Sequence, residues 1–402
     1  MLRTARLIAA IALALLLAPP APARADQVRN TMSPVLESIN VPRAWTLSRG
    51  SGVTVAVLDS GVDPEQADLT GSVTEGPDYT VGANPPGVAP KRLHGTNMAS
   101  IIAGHGHGFG GRDGLMGVAP EARVLALRVI LERDERGFDA FNGEERYEGT
   151  IAKGVRYAAD HGADVINLSL GRSYPTKAER AAVAYAIGRN VVVVAAAGNG
   201  GESRERNRRP AYSYPASFPG VISVAAVDAQ GAHAGFSNRN PAVVVSAPGV
   251  RILGAGPGGG YWVGDGTSPA TAFVSGVAAL VRSRHRGLAP ALVTQAIVAS
   301  TQARPARGYD LGVGFGRVDA HGALAEADRL AGARVRDLGL SPRERFGDES
   351  GGEQARPVTV VYRNRWLLGA CVVLCVLAAS GLATVILMRR DASWIWQRAP
   401  DS

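Results

Sequence analysis

The sequence predicts an α/β fold built on a mostly parallel β-sheet. Short, apolar, β-branched segments alternate with helical segments along the chain. The apolar segments are VTVAVLD (Val53–Asp59), VLALRVI (Val124–Ile130), VINLSL (Val165–Leu170), VVVVAAA (Val191–Ala197), VISVAAV (Val221–Val227) and VVVSA (Val243–Ala247). Strands that are apolar throughout are buried on both faces, which favours a parallel sheet covered by helices. Helical periodicity is visible in three segments, His94–Ala103, Ile151–His161 and Lys177–Ile187.

Both ends of the chain indicate export and attachment to a membrane. Two arginines, an apolar run from Leu7 to Ala18 and an A-x-A site at Ala23–Ala25 predict a signal peptide over residues 1–25. Trp366–Met388 contains no charged residue and is long enough to span a bilayer. We therefore expect an extracytoplasmic domain, a polar linker or stalk, a transmembrane helix and a cytoplasmic tail, over residues 26–333, 334–365, 366–388 and 389–402.

Composition and residue spacing argue against several classes of site. The net charge is +8, but no basic stripe with interleaved aromatic residues occurs, so we predict no nucleic-acid partner. The two cysteines, Cys371 and Cys375, both lie in the predicted membrane span. His105 and His107 are two residues apart without a third ligand at a useful spacing, so we predict no metal site there. No EF-hand-like loop occurs, and the question of a structural calcium ion stays open.

The segment GDGTSPATAFVSGVAALV (Gly264–Val281) predicts a buried helix with Ser268 as its N-cap and Pro269 at its first position. Ser268 then has two possible roles. It is either a capping residue alone or a nucleophile beside backbone N–H groups that can bind an oxyanion.

Polar residues follow the predicted strands and begin the helices that face them. Asp59 ends the first strand, Asn199 follows the fourth, and His94 and Ser268 each open a helix. Sites in parallel sheets lie at the carboxyl ends of the strands, so these four residues are expected to meet. In that arrangement Ser268 is a nucleophile, His94 its base and Asp59 the carboxylate that orients the base. The Ser268 N–H and the Asn199 amide are the predicted oxyanion donors. Each residue alone is better explained as a turn, helix-start or cap residue, but their combination favours catalysis.

Four motifs resemble those of the subtilisin-like serine proteases, in the same order along the chain. They are DSGVD (Asp59–Asp63), HGTNMASIIAG (His94–Gly104), AAAGN (Ala195–Asn199) and GTSPATAFVSGVAAL (Gly266–Leu280).

The resemblance extends over about residues 41–324 and implies a subtilisin-like three-layer sandwich with a seven-stranded, mostly parallel sheet. It also implies serine endopeptidase activity, with the roles given above for Asp59, His94, Ser268 and Asn199, and without a cofactor. Ser169, Leu170 and Gly171 are implied to line the substrate cleft as a strand edge that pairs with an extended peptide.

Two features depart from the family pattern. Ala272 stands where members usually have a proline, four residues after the serine. Only about 30 residues separate the predicted signal cleavage site from Asp59, which leaves no room for a long propeptide. Leu131–Tyr147 is predicted to be a surface insertion, a loop near the cleft.

The short N-terminal extension, single span and basic tail resemble the mycosins, which are membrane-anchored proteases associated with type VII secretion in actinobacteria. This resemblance implies a protein or peptide substrate and the type VII secretion machinery as a partner. Two alternatives remain. One is a structural component of a secretion complex whose protease activity is secondary or regulatory, and the other is a serine esterase.

Overall fold

The computed structural model describes residues 27–201, 211–332, 373–375, 377 and 380–384. The predicted signal peptide, linker and tail, and most of the predicted membrane span, lie outside the described residues. Among the residues described, no helix is both long enough and apolar enough to cross a membrane. The chain divides into two units, Met1–Arg334 and Val335–Ser402.

Within the first unit the described segments contain eleven strands. They are β1 (Thr54–Asp59), β2 (Val73–Asp78), β3 (His105–His107), β4 (Asp113–Met116), β5 (Arg123–Arg128), β6 (Val165–Leu168), β7 (Val192–Ala196), β8 (Ile222–Val227), β9 (Val245–Pro248), β10 (Ile252–Ala255) and β11 (Tyr261–Gly264).

The same segments contain nine α-helices, with short 3-10 turns between some of the elements. They are α1 (Gln27–Ser38), α2 (Val41–Ala44), α3 (Leu93–Ala103), α4 (Phe138–Gly143), α5 (Thr150–Asp160), α6 (Lys177–Gly188), α7 (Thr267–Arg284), α8 (Pro290–Ala299) and α9 (Ala320–Gly332).

Seven strands form one sheet in the order β2-β5-β1-β6-β7-β8-β9. All six neighbouring pairs in this sheet are parallel. The predicted mostly parallel α/β sheet is therefore confirmed. Two separate antiparallel pairs, β3–β4 and β10–β11, lie outside the large sheet.

Alternate residues of each central strand face opposite layers of helices. In β1, Val55 and Val57 belong to one apolar cluster, which also includes residues of α1, α3, α7, α8 and α9. Ala56 and Leu58 belong to a second cluster with residues of α5 and α6. The sheet therefore lies between two helical layers, and each strand is buried on both faces, as its unbroken apolar sequence predicts.

Helix α7 is the most deeply buried helix, since 15 of its 18 residues are buried. It contacts the four neighbouring strands β6, β7, β8 and β9, and its first residues bond to Asn199 and Ser169, which follow β7 and β6. Its N-terminus therefore lies at the carboxyl edge of the sheet. The helix begins at Thr267 with Gly266 as its N-cap, so the prediction that Ser268 caps the helix is wrong by two residues. Pro269 still lies in the first turn, where the missing N–H breaks no helical hydrogen bond.

Two other elements differ from the sequence-based expectation. β2 was not predicted because none of its residues is fully buried and VTEGPD lacks an apolar run. The predicted loop Leu131–Tyr147 contains helix α4 and a 3-10 turn at Glu145–Tyr147. Tyr147 and Leu131 are buried in a small cluster of their own with Ala83, which explains why this segment is ordered.

Candidate active site

Asp59 ends β1 and is completely buried. Its Oδ1 accepts hydrogen bonds from the Ser60 N–H at 2.7 Å and from His94 Nδ1 at 2.8 Å. The other oxygen, Oδ2, has no hydrogen-bond partner among the described residues. The carboxylate therefore fixes one ring nitrogen of His94 and leaves the other, Nε2, to act elsewhere.

His94 lies in the first turn of α3, and the start of that helix is held by side chains from other segments. The His94 N–H donates to Glu132 Oε1 at 2.8 Å, and the Ser60 hydroxyl donates to the same oxygen at 2.7 Å. The Gly95 N–H donates in turn to Ser60 Oγ at 3.1 Å. These bonds satisfy N–H groups that the first turn of a helix leaves free.

Gly95 allows α3 to approach the end of β1 closely. A Cβ at this position would lie 2.1 Å from the carbonyl oxygen of Gly61 and 3.2 Å from the Cβ of Asp59. Only glycine fits there without displacing the backbone. The glycine that follows His94 in the sequence therefore allows His94 to come within hydrogen-bond distance of Asp59.

The pKa of His94 is raised above its ordinary value. Burial on its own would lower the pKa, because it disfavours the charged ring. The negative charge of Asp59, the hydrogen bond to Asp59 and the charge of Glu132 act in the opposite direction and outweigh burial. The site therefore stabilises an imidazolium ion, which a general base must become during the reaction.

Ser268 lies in the first turn of α7, beside the chain that follows β6. Its hydroxyl donates to the carbonyl oxygen of Ser169 at 3.0 Å, and the Ser169 hydroxyl donates to the carbonyl oxygen of Ser268 at 3.0 Å. Among the described residues no hydrogen bond joins Ser268 to His94. Such catalytic hydrogen bonds are often long or absent without substrate and form in the complex.

Asn199 is exposed and follows β7, and Thr267 fixes its side-chain orientation. Asn199 Oδ1 accepts hydrogen bonds from the Thr267 N–H and hydroxyl, both at 2.9 Å. The Thr267 hydroxyl also accepts from the Gly198 N–H at 3.2 Å. The oxygen of Asn199 is thus occupied, and its Nδ2 group donates to none of the residues that the structure describes. Nδ2 would lie 3.4 Å from a Cβ at Gly266, next to the start of α7.

A cleft of about 1130 Å³ adjoins His94. Ser169, Leu170 and Gly171 all line it, on the wall formed by residues 169–179. Ser169 is buried, Leu170 is half-buried and Gly171 is exposed. Residues 130–151 form the facing wall. The structure thus brings the predicted strand edge and the predicted base to one concave surface.

His105 and His107, the closely spaced histidines considered above for a metal site, both contact other protein groups. His107 Nδ1 lies 2.6 Å from Asp68 Oδ1, and the His105 ring contacts the carbonyl oxygens of Gly106 and Thr70. Across residues 27–201 and 211–332 and the short described part of the second unit, no group of three or more His, Cys, Asp or Glu side chains could hold a metal ion.

Sequence reasoning missed three residues that orient the site, Glu132, Ser60 and Thr267. Thr267 and Ser60 stand beside Ser268 and Asp59 in the quoted motifs, so their positions gave a signal. Glu132 had none, because it is 38 residues from His94 and reaches the helix only through the fold.

The geometry agrees with comparisons to known proteins. The profile of the Subtilase family matches residues 50–316, which is about two thirds of the chain. The chain belongs to the subtilase family. It is therefore a serine protease of the subtilisin-like class, and the activity of the family is that of a serine endopeptidase.

Curated relatives include well-known members of the family. Thermitase of Thermoactinomyces vulgaris is 37% identical over 250 residues, which cover 62% of this chain and 82% of that protein. Subtilisin E of Bacillus subtilis (strain 168) is 36% identical over 236 residues, which cover 59% of this chain and 57% of that protein.

Solved structures that match include mycosins. MycP1 from Mycobacterium smegmatis has a TM-score of 0.60 and 30% identity, with 76% of this chain and 86% of that chain covered. The MycP3 protease from the type VII (ESX-3) secretion system has a TM-score of 0.58 and 32% identity, with 73% and 88% covered. The resemblance to mycosins is thus confirmed at the level of structure.

Proposed function

We propose that this protein is a membrane-anchored, extracytoplasmic serine endopeptidase that uses Asp59, His94 and Ser268 as its catalytic triad. One observation carries the proposal: His94 Nδ1 lies 2.8 Å from the buried carboxylate of Asp59, at the edge of a substrate-sized cleft in a subtilase fold. A buried Asp–His pair with an accessible second ring nitrogen is the arrangement that activates a serine hydroxyl.

Substrate binding releases the nucleophile. An extended peptide that pairs with the edge Ser169–Gly171 competes for the Ser169 carbonyl oxygen, to which the Ser268 hydroxyl donates. When a substrate N–H takes that acceptor, the hydroxyl is free to turn to His94 Nε2. Attack on the scissile carbonyl is then coupled to proton transfer from Ser268 to His94.

The negative charge that develops on the carbonyl oxygen is stabilised by two donors. The Ser268 N–H belongs to the first turn of α7 and has no helical acceptor. The Asn199 Nδ2 group is oriented by Thr267, which holds the amide oxygen. Both donors are fixed before the reaction, so little reorganisation is needed as charge develops.

His94 then gives its proton to the leaving amine, and Asp59 stabilises the imidazolium ion meanwhile. Water, activated by the same histidine, hydrolyses the acyl-enzyme and restores the Ser268 hydroxyl. No cofactor takes part in these steps.

The location and partner follow from the sequence and from the relatives. The signal peptide at 1–25 and the span at 366–388 would hold the catalytic domain outside the cytoplasm, with the short tail inside. The structural similarity to MycP1 and MycP3 supports a link to type VII secretion.

Hydrolysis of an unfolded protein by the purified full chain tests the proposal. We expect wild-type protein to produce new peptide termini, identified by mass spectrometry, and the Ser268→Ala variant to produce none above background. Equal cleavage by both proteins would reject Ser268 as the nucleophile. Intact substrate with folded wild-type protein would reject the protease assignment.

The alternative, a structural component of a secretion complex, is tested in the producing cell. If secretion survives Ser268→Ala but is lost when the gene is deleted, the essential role is structural. If both changes stop secretion, proteolysis is essential.

A further inference from the structure

The cleft beside His94 carries a charge opposite to that of the whole chain. The chain has a net charge of +8. Among the residues that line the cleft, six carboxylates face only two guanidinium groups. The carboxylates are Glu132, Asp134, Glu144, Glu145, Glu148 and Glu179, and the guanidinium groups are Arg133 and Arg172. The acidic character is therefore local to the cleft.

Three of these carboxylates are already engaged by the protein. Glu132 accepts from Ser60 and from the His94 N–H. Asp134 pairs with Lys91, and Glu144 pairs with Arg146 at 2.6 Å. Asp134 and Glu144 are thus each paired with a basic side chain. Glu132 is bonded to neutral donors, and its charge acts on His94.

Glu145 and Glu148 differ from them. Both are exposed, and neither carboxylate forms a hydrogen bond or ion pair with another described residue. Glu145 begins the 3-10 turn Glu145–Tyr147, and Glu148 is the residue that follows it. The buried Tyr147 ring packs 5.1 Å from Phe141 and anchors this turn. Two carboxylates without a partner among the described residues thus stand three residues apart, on either side of an anchored residue of the cleft wall.

Glu179, on the facing wall, is a buried carboxylate that pairs with Arg172 through one oxygen only. Its residue is 1% exposed, and neither carboxylate oxygen accepts a hydrogen bond among the described residues. Oε1 lies 3.1 Å from Arg172 Nη2, and Oε2 has no partner. Buried polar atoms are nearly always paired, so the buried, unpartnered Oε2 of this cleft-lining residue is an acceptor available to an incoming donor.

We propose that this cleft selects peptide segments that carry lysine or arginine side chains. Glu145 and Glu148 pair with a basic side chain at the rim, and Glu179 Oε2 accepts a hydrogen bond from one that reaches the facing wall. Side chains of an extended peptide point alternately to opposite sides, so a peptide on the Ser169–Gly171 edge presents them to both walls. The inference rests on the proposed function, because it takes the cleft to be the substrate site.

Burial raises the pKa of Glu179, although the charge of Arg172 and the nearby Thr176 hydroxyl oppose this shift. A basic side chain beside Oε2 supplies further positive charge and favours the ionised form. Glu179 is therefore suited to respond to a cationic substrate.

Binding of labelled peptides to the full-length Ser268→Ala protein tests the inference without turnover. The peptides are identical except for one position, which is lysine, arginine, glutamine or glutamate. We expect the basic peptides to bind about 1.5- to 5-fold more tightly than the glutamine peptide for each exposed ion pair that forms. The preference should shrink at high salt, where the Debye length falls to about 3 Å at 1 M.

Substitutions of the cleft carboxylates show which of them cause the preference for basic peptides. Added to Ser268→Ala, the pair Glu145→Gln and Glu148→Gln should remove most of the preference for basic peptides. Glu179→Gln should reduce it separately. Asp139→Asn is the matched control, because Asp139 is an exposed carboxylate of the same segment that does not line the cleft. It should keep the preference, and thermal melting checks that each variant is folded.

Equal binding of basic and glutamine peptides, no measurable binding of any peptide, or a preference that survives all three cleft substitutions would each overturn the inference. Wild-type hydrolysis of the glutamine peptide, measured in parallel, separates this result from the proposed function. Hydrolysis without a preference for basic peptides would reject the inference about the acidic cleft but not the protease function. Charge-selective binding without hydrolysis of any peptide removes the protease proposal alone.

Discussion

Thr267 orients the Asn199 side chain. Substitutions of these two residues should therefore lower kcat by different amounts. Asn199→Ala removes an oxyanion donor, so kcat should fall by on the order of 10²–10³-fold with little change in KM. Thr267→Val removes the two hydrogen bonds of the hydroxyl, to Asn199 and from the Gly198 N–H, but keeps the Thr267 N–H bond to Asn199, so its loss in kcat should be smaller. Steady-state kinetics on one peptide check both. An unchanged kcat in Asn199→Ala, or an effect confined to KM, would mean that Asn199 does not act on the transition state.

Glu132 is a positioning residue that acts on His94 through charge. Glu132→Gln keeps an acceptor for the His94 N–H but removes one of the charges that raise the pKa of His94. The base must be neutral to act, so activity falls as pH drops through this pKa. The raised pKa moves that fall to higher pH than for an ordinary histidine, and Glu132→Gln should move it back to lower pH.

The pH profile of kcat/KM measures this effect, because it reports the pKa of the free enzyme. Glu121→Gln is the control, since Glu121 pairs with Arg49 and does not contribute to the pKa of His94. A profile that stays in place, or moves to higher pH, would show that Glu132 has only a structural role.

The residues proposed to carry the chemistry were recognisable in the sequence, whereas the residues that orient them were only partly so. Asp59, His94 and Ser268 stand at strand and helix ends within recognisable motifs. Glu132 lies in an insertion without a motif, and its bond to His94 exists only because the chain after β5 returns to the start of α3. Such long-range partners leave no periodic signal in the sequence.

At the scale of elements, the approach of α3 to β1 depends on Gly95. Gly95→Ala should favour the isolated helix by about 1 kcal/mol, yet the added methyl group would clash with the Gly61 carbonyl oxygen. Overpacking of this kind typically costs about 1–3 kcal/mol. We expect a lower melting temperature and a large loss of kcat, because His94 moves relative to Asp59.

Gly188→Ala is the matched control for Gly95→Ala. Gly188 ends α6, and a Cβ there meets nothing within 4 Å. It should leave activity unchanged. Full activity and unchanged melting in Gly95→Ala would refute the argument that glycine is needed for this close approach.

Strands and helices were predictable where burial is uniform. β1, β5, β6, β7 and β8 are apolar runs, and their observed bounds lie within two residues of those predicted. β2 was not predicted because it is an edge strand with no buried residue. α1 was not predicted because only two of its residues, Met32 and Leu36, are buried. The start of α7 was misjudged because its N-cap is Gly266, which has no side chain to form a capping bond, and not the serine that the cap preference favours.

At the scale of the whole molecule, the account predicts an integral membrane protein whose catalytic unit lies outside the cytoplasm. The full chain should remain in the membrane fraction after a high-salt wash and be released by detergent, because a span of about 20 apolar residues is held by hydrophobic burial. A chain truncated before Trp366 should appear in the soluble extracytoplasmic fraction and still hydrolyse peptides. Release of the full chain by salt alone would contradict a spanning anchor.

The central claim is that Ser268 is a nucleophile activated by His94 and Asp59, and labelling with a fluorophosphonate probe tests it most directly. Such a probe forms a covalent bond only with an activated serine. The account predicts that wild-type protein is labelled on the peptide containing Ser268, as mapped by mass spectrometry, and that Ser268→Ala is not labelled. Labelling of a different residue, or of neither folded protein, would contradict the claim.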